Sequence, residues 1–217
     1  MPRNDVIIRS LNVGLPVKEQ FFGKEIVTGI CKKPVLAPVP LGRSGFQGDG
    51  VADTKHHGGW DKAVCVYGTN HYHYWEKTLR SVLPVAPFGE NLSLSHLDEA
   101  AVCIGDIFQV GTAIVQVSQP RQPCITLAAR YGRADMVKLV VNSGRTGCYL
   151  RVIEEGIAET GDAFILRERD RLGITVAFAN RIYHHDRNNR VGIDKVLKVE
   201  ALSASWRESF IQLREGP

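Results

Sequence analysis

Long hydrophobic runs are missing from this 217-residue chain. No stretch approaches the roughly 20 apolar residues a membrane helix needs, so no membrane partner is expected. Near the start, Val6-Ile7-Ile8 is cut short by Arg9 and Ser10, which leaves no signal-peptide core. Cysteine is sparse and scattered: Cys31, Cys65, Cys103, Cys124 and Cys148 are odd in number and far apart. That spacing argues against a disulfide framework and for a reducing compartment, by default the cytoplasm. It also excludes the Cys-x-x-Cys pairs of zinc ribbons and the clusters that hold iron–sulfur centres. There is no Gly-x-Gly-x-x-Gly strand–helix signature for a nicotinamide or flavin dinucleotide. Excess charge of one sign is small, with 27 Lys and Arg against 23 Asp and Glu. Residues 167–217 hold ten basic and seven acidic side chains, a surplus too mild to make nucleic acid a partner. With 44% hydrophobic and 23% charged residues, disorder is excluded as well.

What is present reads first as short strands. Asp5–Val13, Lys24–Ile30, Lys62–Tyr67, Asp106–Val110, Thr112–Val117, Thr146–Ile153 and Asp162–Arg167 are β-rich runs bounded by Gly, Pro or Asp. Val110-Gly111-Thr112 predicts a hairpin turn, since glycine supplies the backbone angles such turns require. Many short strands favour a mainly β barrel or sandwich over a doubly wound sheet. Helices are predicted over Thr69–Arg80, with Thr69 as cap, and over Ala134–Val141. The pattern changes after Arg171, where Ile174–Tyr183, Val191–Val199 and Ser205–Leu213 read as three short helices. Ser205-Trp206-Arg207-Glu208 has capping-box spacing. A β domain over 1–170 and a three-helix module over 171–217 are therefore expected. The module's apolar faces require cover from the barrel or from a second subunit, as in a homodimer.

Three segments carry more chemistry than a bland core needs. In Lys55-His56-His57-Gly58-Gly59-Trp60-Asp61, Lys and His can bind an anion or move a proton; the plainer reading is a surface turn with solvated histidines. In Phe88-Gly89-Glu90-Asn91-Leu92, Glu90 and Asn91 can hydrogen-bond a heterocycle, or simply close an Asx-type turn. In Ser118-Gln119-Pro120-Arg121-Gln122-Pro123-Cys124, two prolines stiffen a loop that ends on a lone Cys three residues after Arg121. A rigid loop beside a cation makes a thiolate available for a metal or for nucleophilic work. A small buried hydrophobe is the alternative for any single Cys.

Taken together, the order and spacing of these segments, with Gly105-Asp106, resemble the MOSC-domain family (molybdenum cofactor sulfurase C-terminal), and within it the YiiM-type branch. The likeness is dense over residues 45–167, and the helical tail is similar to the three-helix module that follows the domain in that branch. The resemblance implies a β-barrel with inserted helices that holds a molybdenum cofactor, a pyranopterin (molybdopterin), with Cys124 on the metal. It implies reduction of N-hydroxylated bases such as 6-hydroxylaminopurine to amines, a detoxifying role. Within that frame Arg121, Lys55 and Arg145 are the candidates for the cofactor phosphate. Glu90, Asn91 and Ser118 are the candidates for the pterin edge. His57 is the expected proton donor, with His56 as the fallback. Lacking a dinucleotide motif, such an oxidoreductase requires a separate electron-donor reductase protein.

Two rivals remain at this level. A carrier of sulfur or of the cofactor would use Cys124 without redox turnover. A zinc hydrolase would need His57, His71, His73 and Cys65 to converge, with no recognised ligand spacing between them.

Overall fold

The computed structural model describes residues 6–216. In chain order it contains β1 (Ile8–Val13), β2 (Val17–Phe21), β3 (Lys24–Thr28), β4 (Lys33–Val35), β5 (Val39–Gly42), β6 (Gly45–Phe46), α1 (Thr54–His57), β7 (Val64–Gly68), α2 (Tyr72–Leu79) and β8 (Leu92–Leu94). There follow β9 (Ile107–Val110), β10 (Ala113–Pro120), α3 (Ile125–Tyr131), α4 (Met136–Ser143), β11 (Cys148–Glu154), β12 (Gly156–Ala158) and β13 (Phe164–Glu168). The chain ends with α5 (Val176–His184), α6 (Arg190–Leu197) and α7 (Ala204–Glu215).

Strand alternation builds the barrel. Along β10, Ala113, Val115 and Val117 turn inward; along β11, Cys148, Leu150 and Val152 do the same. Eight strands pair in the order β13-β9-β10-β11-β7-β8-β1-β4. All pairs are antiparallel except β7 with β8, which run parallel because α2 carries the crossover between them. The sheet closes on itself near its ends. The Ile8 N–H donates to the Asp162 carbonyl (2.9 Å), Gly161 N–H to Ile8 O (2.8 Å) and Phe164 N–H to Val6 O (2.7 Å). Closure removes most of the exposed edge and leaves an apolar interior from Ile8 to Phe164. A second core cluster lies under α2, α3 and α4, around Tyr67, Trp75, Phe88, Leu127 and Met136.

The three tail helices close on one another. Ile182, Ile193, Val196, Trp206 and Phe210 form their own core, which Ile104 of the barrel completes. Val176 instead joins the barrel interior. The apolar faces thus find cover inside the chain, and no second subunit is needed to bury them. Among the contacts that fasten the tail are Ser203 N–H to Ser118 O (3.0 Å), Ala204 N–H to Asp61 Oδ2 (3.0 Å) and Arg151 Nη2 to Ala201 O (2.7 Å).

Several expected boundaries move. Trp60–Lys62 forms a 3-10 turn, so β7 starts at Val64 and not at Lys62. Thr69 begins a 3-10 turn, and α2 follows from Tyr72 without a side-chain cap. Helix α7 is capped by Ser203, whose Oγ accepts from Trp206 N–H, and not by Ser205. Helix α3 and the hairpin partner β2 were not expected. The predicted start of the first strand at Asp5 lies outside the described residues.

Candidate active site

The site forms where β10 runs out into its proline-framed loop. Between Val117 and Gln119 the β10–β11 register shifts by a bulge, which sets Ser118 out of line and pairs Gln119 with Tyr149. Pro120 ends the strand, Pro123 stiffens the loop, and Cys124 sits at the N-cap of α3 in extended conformation. A cavity of about 110 Å³ opens beside it, lined by Cys124, Arg121, His57, Gln122, Tyr149 and Thr126 on one side. The segment Val27–Ile30, with Lys32, forms the other wall. This wall comes from the N-terminal stretch that the sequence motifs left out. Gly89 (φ +74°) is required at its foot, because a Cβ there would come within 2.8 Å of Ile30 Cγ1.

Cys124 is set up as a thiolate. Burial is the largest single influence and raises its pKa, but a hydrogen bond from His57 opposes it. With the Arg121 and His57 charges and the Leu127 N–H at the head of α3, that bond brings the thiol down to about 6. The other cysteines near the barrel differ: burial pushes Cys65 up to about 12 and Cys148 well above the ordinary value. All five cysteines are unpaired. Arg121 is 4% exposed; its Nη2 donates to the Phe88 carbonyl (2.7 Å), while Nη1 is buried without any partner. A buried, unpaired guanidinium donor is costly unless an acceptor completes it.

Helix α1 separates the two histidines. They lie on a helical turn, so successive side chains diverge by about 100°. His56 Nδ1 pairs with Asp53 Oδ2 (2.7 Å) at the surface, whereas His57 turns toward Cys124. Lys55 is exposed and borders an outer groove, of about 610 Å³, that also reaches Cys124. It makes no ion pair among the described residues.

The other predicted site residues hold the scaffold. Glu90 is fully buried: Oε1 accepts from Tyr72 Oη (2.5 Å) and Ser93 Oγ (3.1 Å), and Oε2 from Phe88 N–H (2.9 Å). Asn91 accepts from Cys65 N–H (3.0 Å) and donates to Asn12 O (3.2 Å) and Asp49 Oδ2 (2.8 Å), so both its N–H donors are used within the chain and one lone pair of Oδ1 remains. Ser118 Oγ is buried against the carbonyls of Asp61 and Tyr149. Arg145 lies away from the cavity, with its guanidinium 4.1 Å from the Tyr74 ring centroid. The zinc alternative loses its geometry too. His71 is buried in a 2.9 Å contact with Glu99, and no metal-holding group of three or more His, Cys, Asp or Glu exists among the described residues. No described helix is long and apolar enough to cross a membrane.

The residues missed by sequence reasoning are Tyr149, Gln122, Thr126 and Lys32. Only Gln122 lay inside a recognised motif. Lys32 pairs with Asp49 within the cavity wall, which neutralises both.

Comparison with known proteins matches the model of the MOSC domain to residues 53–164 and that of the YiiM-like, 3-alpha helix domain to residues 174–216. "Uncharacterized protein YflK" of Bacillus subtilis (strain 168) is 49% identical over 208 residues, 96% of this chain and 94% of that protein. A protein named "Reductase" from Gibberella moniliformis (strain M3125 / FGSC 7600) is 34% identical over 157 residues, 70% of this chain but 28% of the fungal protein. The crystal structure of YiiM from Geobacillus stearothermophilus aligns with a TM-score of 0.83 at 39% identity, over 96% of this chain and 99% of that one.

Proposed function

The chain belongs to the MOSC-domain family and carries its YiiM-like helical module, and on that premise we propose that it is a molybdenum-cofactor-dependent oxidoreductase reducing N-hydroxylated bases, such as 6-hydroxylaminopurine, to amines. The observation that carries this reading is the pairing of a lowered thiol with a buried, unsatisfied guanidinium donor in one cavity. A soft metal accepts a thiolate, and an anionic cofactor accepts the spare Arg121 N–H groups, so the donor set fits a metal–pterin–phosphate group. Cys124 would hold the metal and Arg121 the anionic part, with Gln122, Thr126 and Tyr149 lining the space between. When bound, the molybdenum centre would supply the two electrons that reduce the N–O group.

This chain's own residues supply the rest. The reaction R–NH–OH + 2 e⁻ + 2 H⁺ → R–NH₂ + H₂O consumes two protons. His57 borders both the cavity and the outer groove beside the Cys124 thiolate. From there its imidazole would donate a proton to the leaving oxygen. Lys55, at the groove rim, adds positive charge where that oxygen leaves. The electrons come from a separate donor protein in this reading, and the fungal relative named as a reductase is consistent with redox work for this domain type. Five unpaired cysteines suit a reducing, cytoplasmic setting.

The test is metal and pterin analysis of protein from a cofactor-competent host, together with reduction of 6-hydroxylaminopurine by a supplied donor. Cys124→Ala should lose molybdenum and activity, whereas Cys103→Ala should keep both. Stoichiometric labile sulfur with no molybdenum would favour the carrier reading instead.

A further inference from the structure

Helix α7 is amphipathic in a way the tail's own packing does not use up. Trp206 and Phe210 are fully buried in the tail core. On its other side Ser205, Glu208, Ser209 and Gln212 recur at i, i+3, i+4 and i+7 and face the outer groove whose floor is Cys124. An isolated polar stripe would ordinarily be a solvated helix face. This one is aimed at the site, and the bonds from Ser203 to Ser118 and from Ala204 to Asp61 fix its distance from the barrel. The opposite wall carries Lys55 and Lys62, with His56, His57 and Asp53 beside them. The floor beside Cys124 is Ile125, whose side chain is 81% exposed and offers an apolar platform.

The stripe's free polar groups are specific. Ser205 and Ser209 are engaged with Gln119 Oε1 (3.3 Å) and the Ser205 carbonyl (2.9 Å). Glu208 and Gln212 have side chains with no hydrogen-bond or ion-pair partner among the described residues. Glu208 is acceptor-only, and Gln212 offers both a donor and an acceptor. That set complements a heterocycle with ring nitrogens and N–H groups along one edge. The inner cavity, by contrast, contains no tail residue at all.

We infer that α7 is the substrate-reading wall of the site: Glu208 and Gln212 hydrogen-bond the heterocyclic edge of the base, which lies on Ile125 with its N–O group toward Cys124. This assignment rests on the reading of the protein as a reductase of N-hydroxylated bases. It divides the chain's labour, giving cofactor retention to the barrel and substrate choice to the tail.

Glu208→Ala and Gln212→Ala, singly and together, test it. Both positions are exposed, so folding is not at risk, and thermal melting checks that. Each single variant should raise KM for 6-hydroxylaminopurine by about 3- to 10-fold, the range for losing one net hydrogen bond. Molybdenum content should stay at the wild-type level. Independently of turnover, adenine binding to cofactor-free protein, measured by calorimetry or ligand-observed NMR, should weaken by a similar factor. Unchanged KM and unchanged adenine affinity in the double variant would overturn the assignment, as would absence of adenine binding to the wild type. If the wild type reduces no N-hydroxylated compound, yet adenine binds and both variants weaken it, the reductase reading fails while the α7 wall stands.

Discussion

Alkylation of Cys124 in cofactor-free protein offers a direct measure of the site's electrostatics. The thiol is lowered to about 6, from a reference of 9.0. At pH 7 about 90% of it is thiolate, against about 1% for an unperturbed thiol. The gain in rate is far smaller than that ratio. Nucleophilicity falls with basicity, with a Brønsted slope of about 0.4–0.5, so a drop of three in pKa costs roughly 20- to 30-fold per thiolate. The net advantage is only about 3- to 5-fold at pH 7 but roughly 20-fold at pH 6. The decisive quantity is therefore the midpoint of the pH profile. Reactivity should be full above the pKa and disappear as pH falls through about 6. His57→Ala removes both a hydrogen bond and a charge, leaving Arg121 and Leu127 to oppose burial; its midpoint should rise to roughly 8 or above. Iodoacetamide labelling followed by peptide mass spectrometry resolves each cysteine. Cys65 and Cys148 serve as internal controls, since burial raises both. A wild-type midpoint near 9, or the same midpoint with and without His57, would refute the account of the thiolate.

Two further substitutions separate scaffold from ligand roles. Glu90→Ala removes the acceptor for Tyr72, Ser93 and Phe88 N–H, leaving buried donors unsatisfied, and should cost about 2–4 kcal/mol in denaturant unfolding; a wild-type midpoint would show that Glu90 has no structural role. Arg145→Ala gives up its contact with Tyr74 and a hydrogen bond to Ser143 O (3.3 Å), together about 1–2 kcal/mol, and should keep full molybdenum content; a large loss of metal would place Arg145 at the cofactor.

The sequence was most informative where a pattern was either periodic or rigid. Alternation made β9, β10 and β11 legible, and Gly111 marked the turn between the first two. The prolines around Arg121 and Cys124 made that loop legible because they fix backbone without tertiary help. Glu90 and Asn91 carry a scaffold role the sequence did not show, for a physical reason. A buried carboxylate and a buried amide need partners whether or not a ligand exists, and the partners Tyr72, Asn12 and Asp49 lie 18 to 79 residues away in the chain. Arg145 differs, since a cation in a glycine-bearing loop looks anion-binding until its aromatic neighbour Tyr74 is seen. The wall at Val27–Ile30 and Lys32 was invisible because nothing in that stretch is chemically unusual. It becomes part of the site only when the β2–β3 hairpin is set beside the loop from β10.

Asp61 shows how the barrel, the tail and the thiolate are coupled. In sequence it reads as a charge placed to tune His57, four residues away. In the fold it is spent elsewhere: Oδ1 pairs with Arg151 Nη2 (2.7 Å), Oδ2 caps the Ala204 N–H, and its carbonyl holds Ser118 in the β10 bulge. Trp60, beside it, donates Nε1–H to Val152 O (3.1 Å) and lies under the Arg151 guanidinium. The turn after α1 is thus pinned to β10, β11 and α7 at once. The Gly58-Gly59 pair joins this anchor to His57 along the chain, and Lys62 Nζ donates back to the His56 carbonyl (2.6 Å). Gly58 takes no larger residue, because a Cβ would come within 2.8 Å of the Thr54 carbonyl oxygen. His57 is held from the front by Cys124 and from behind by a clamp that includes the start of α7. The residue that sets the thiolate and the helix that faces the groove therefore share one anchor, so the tail's position and the site's geometry are fixed together.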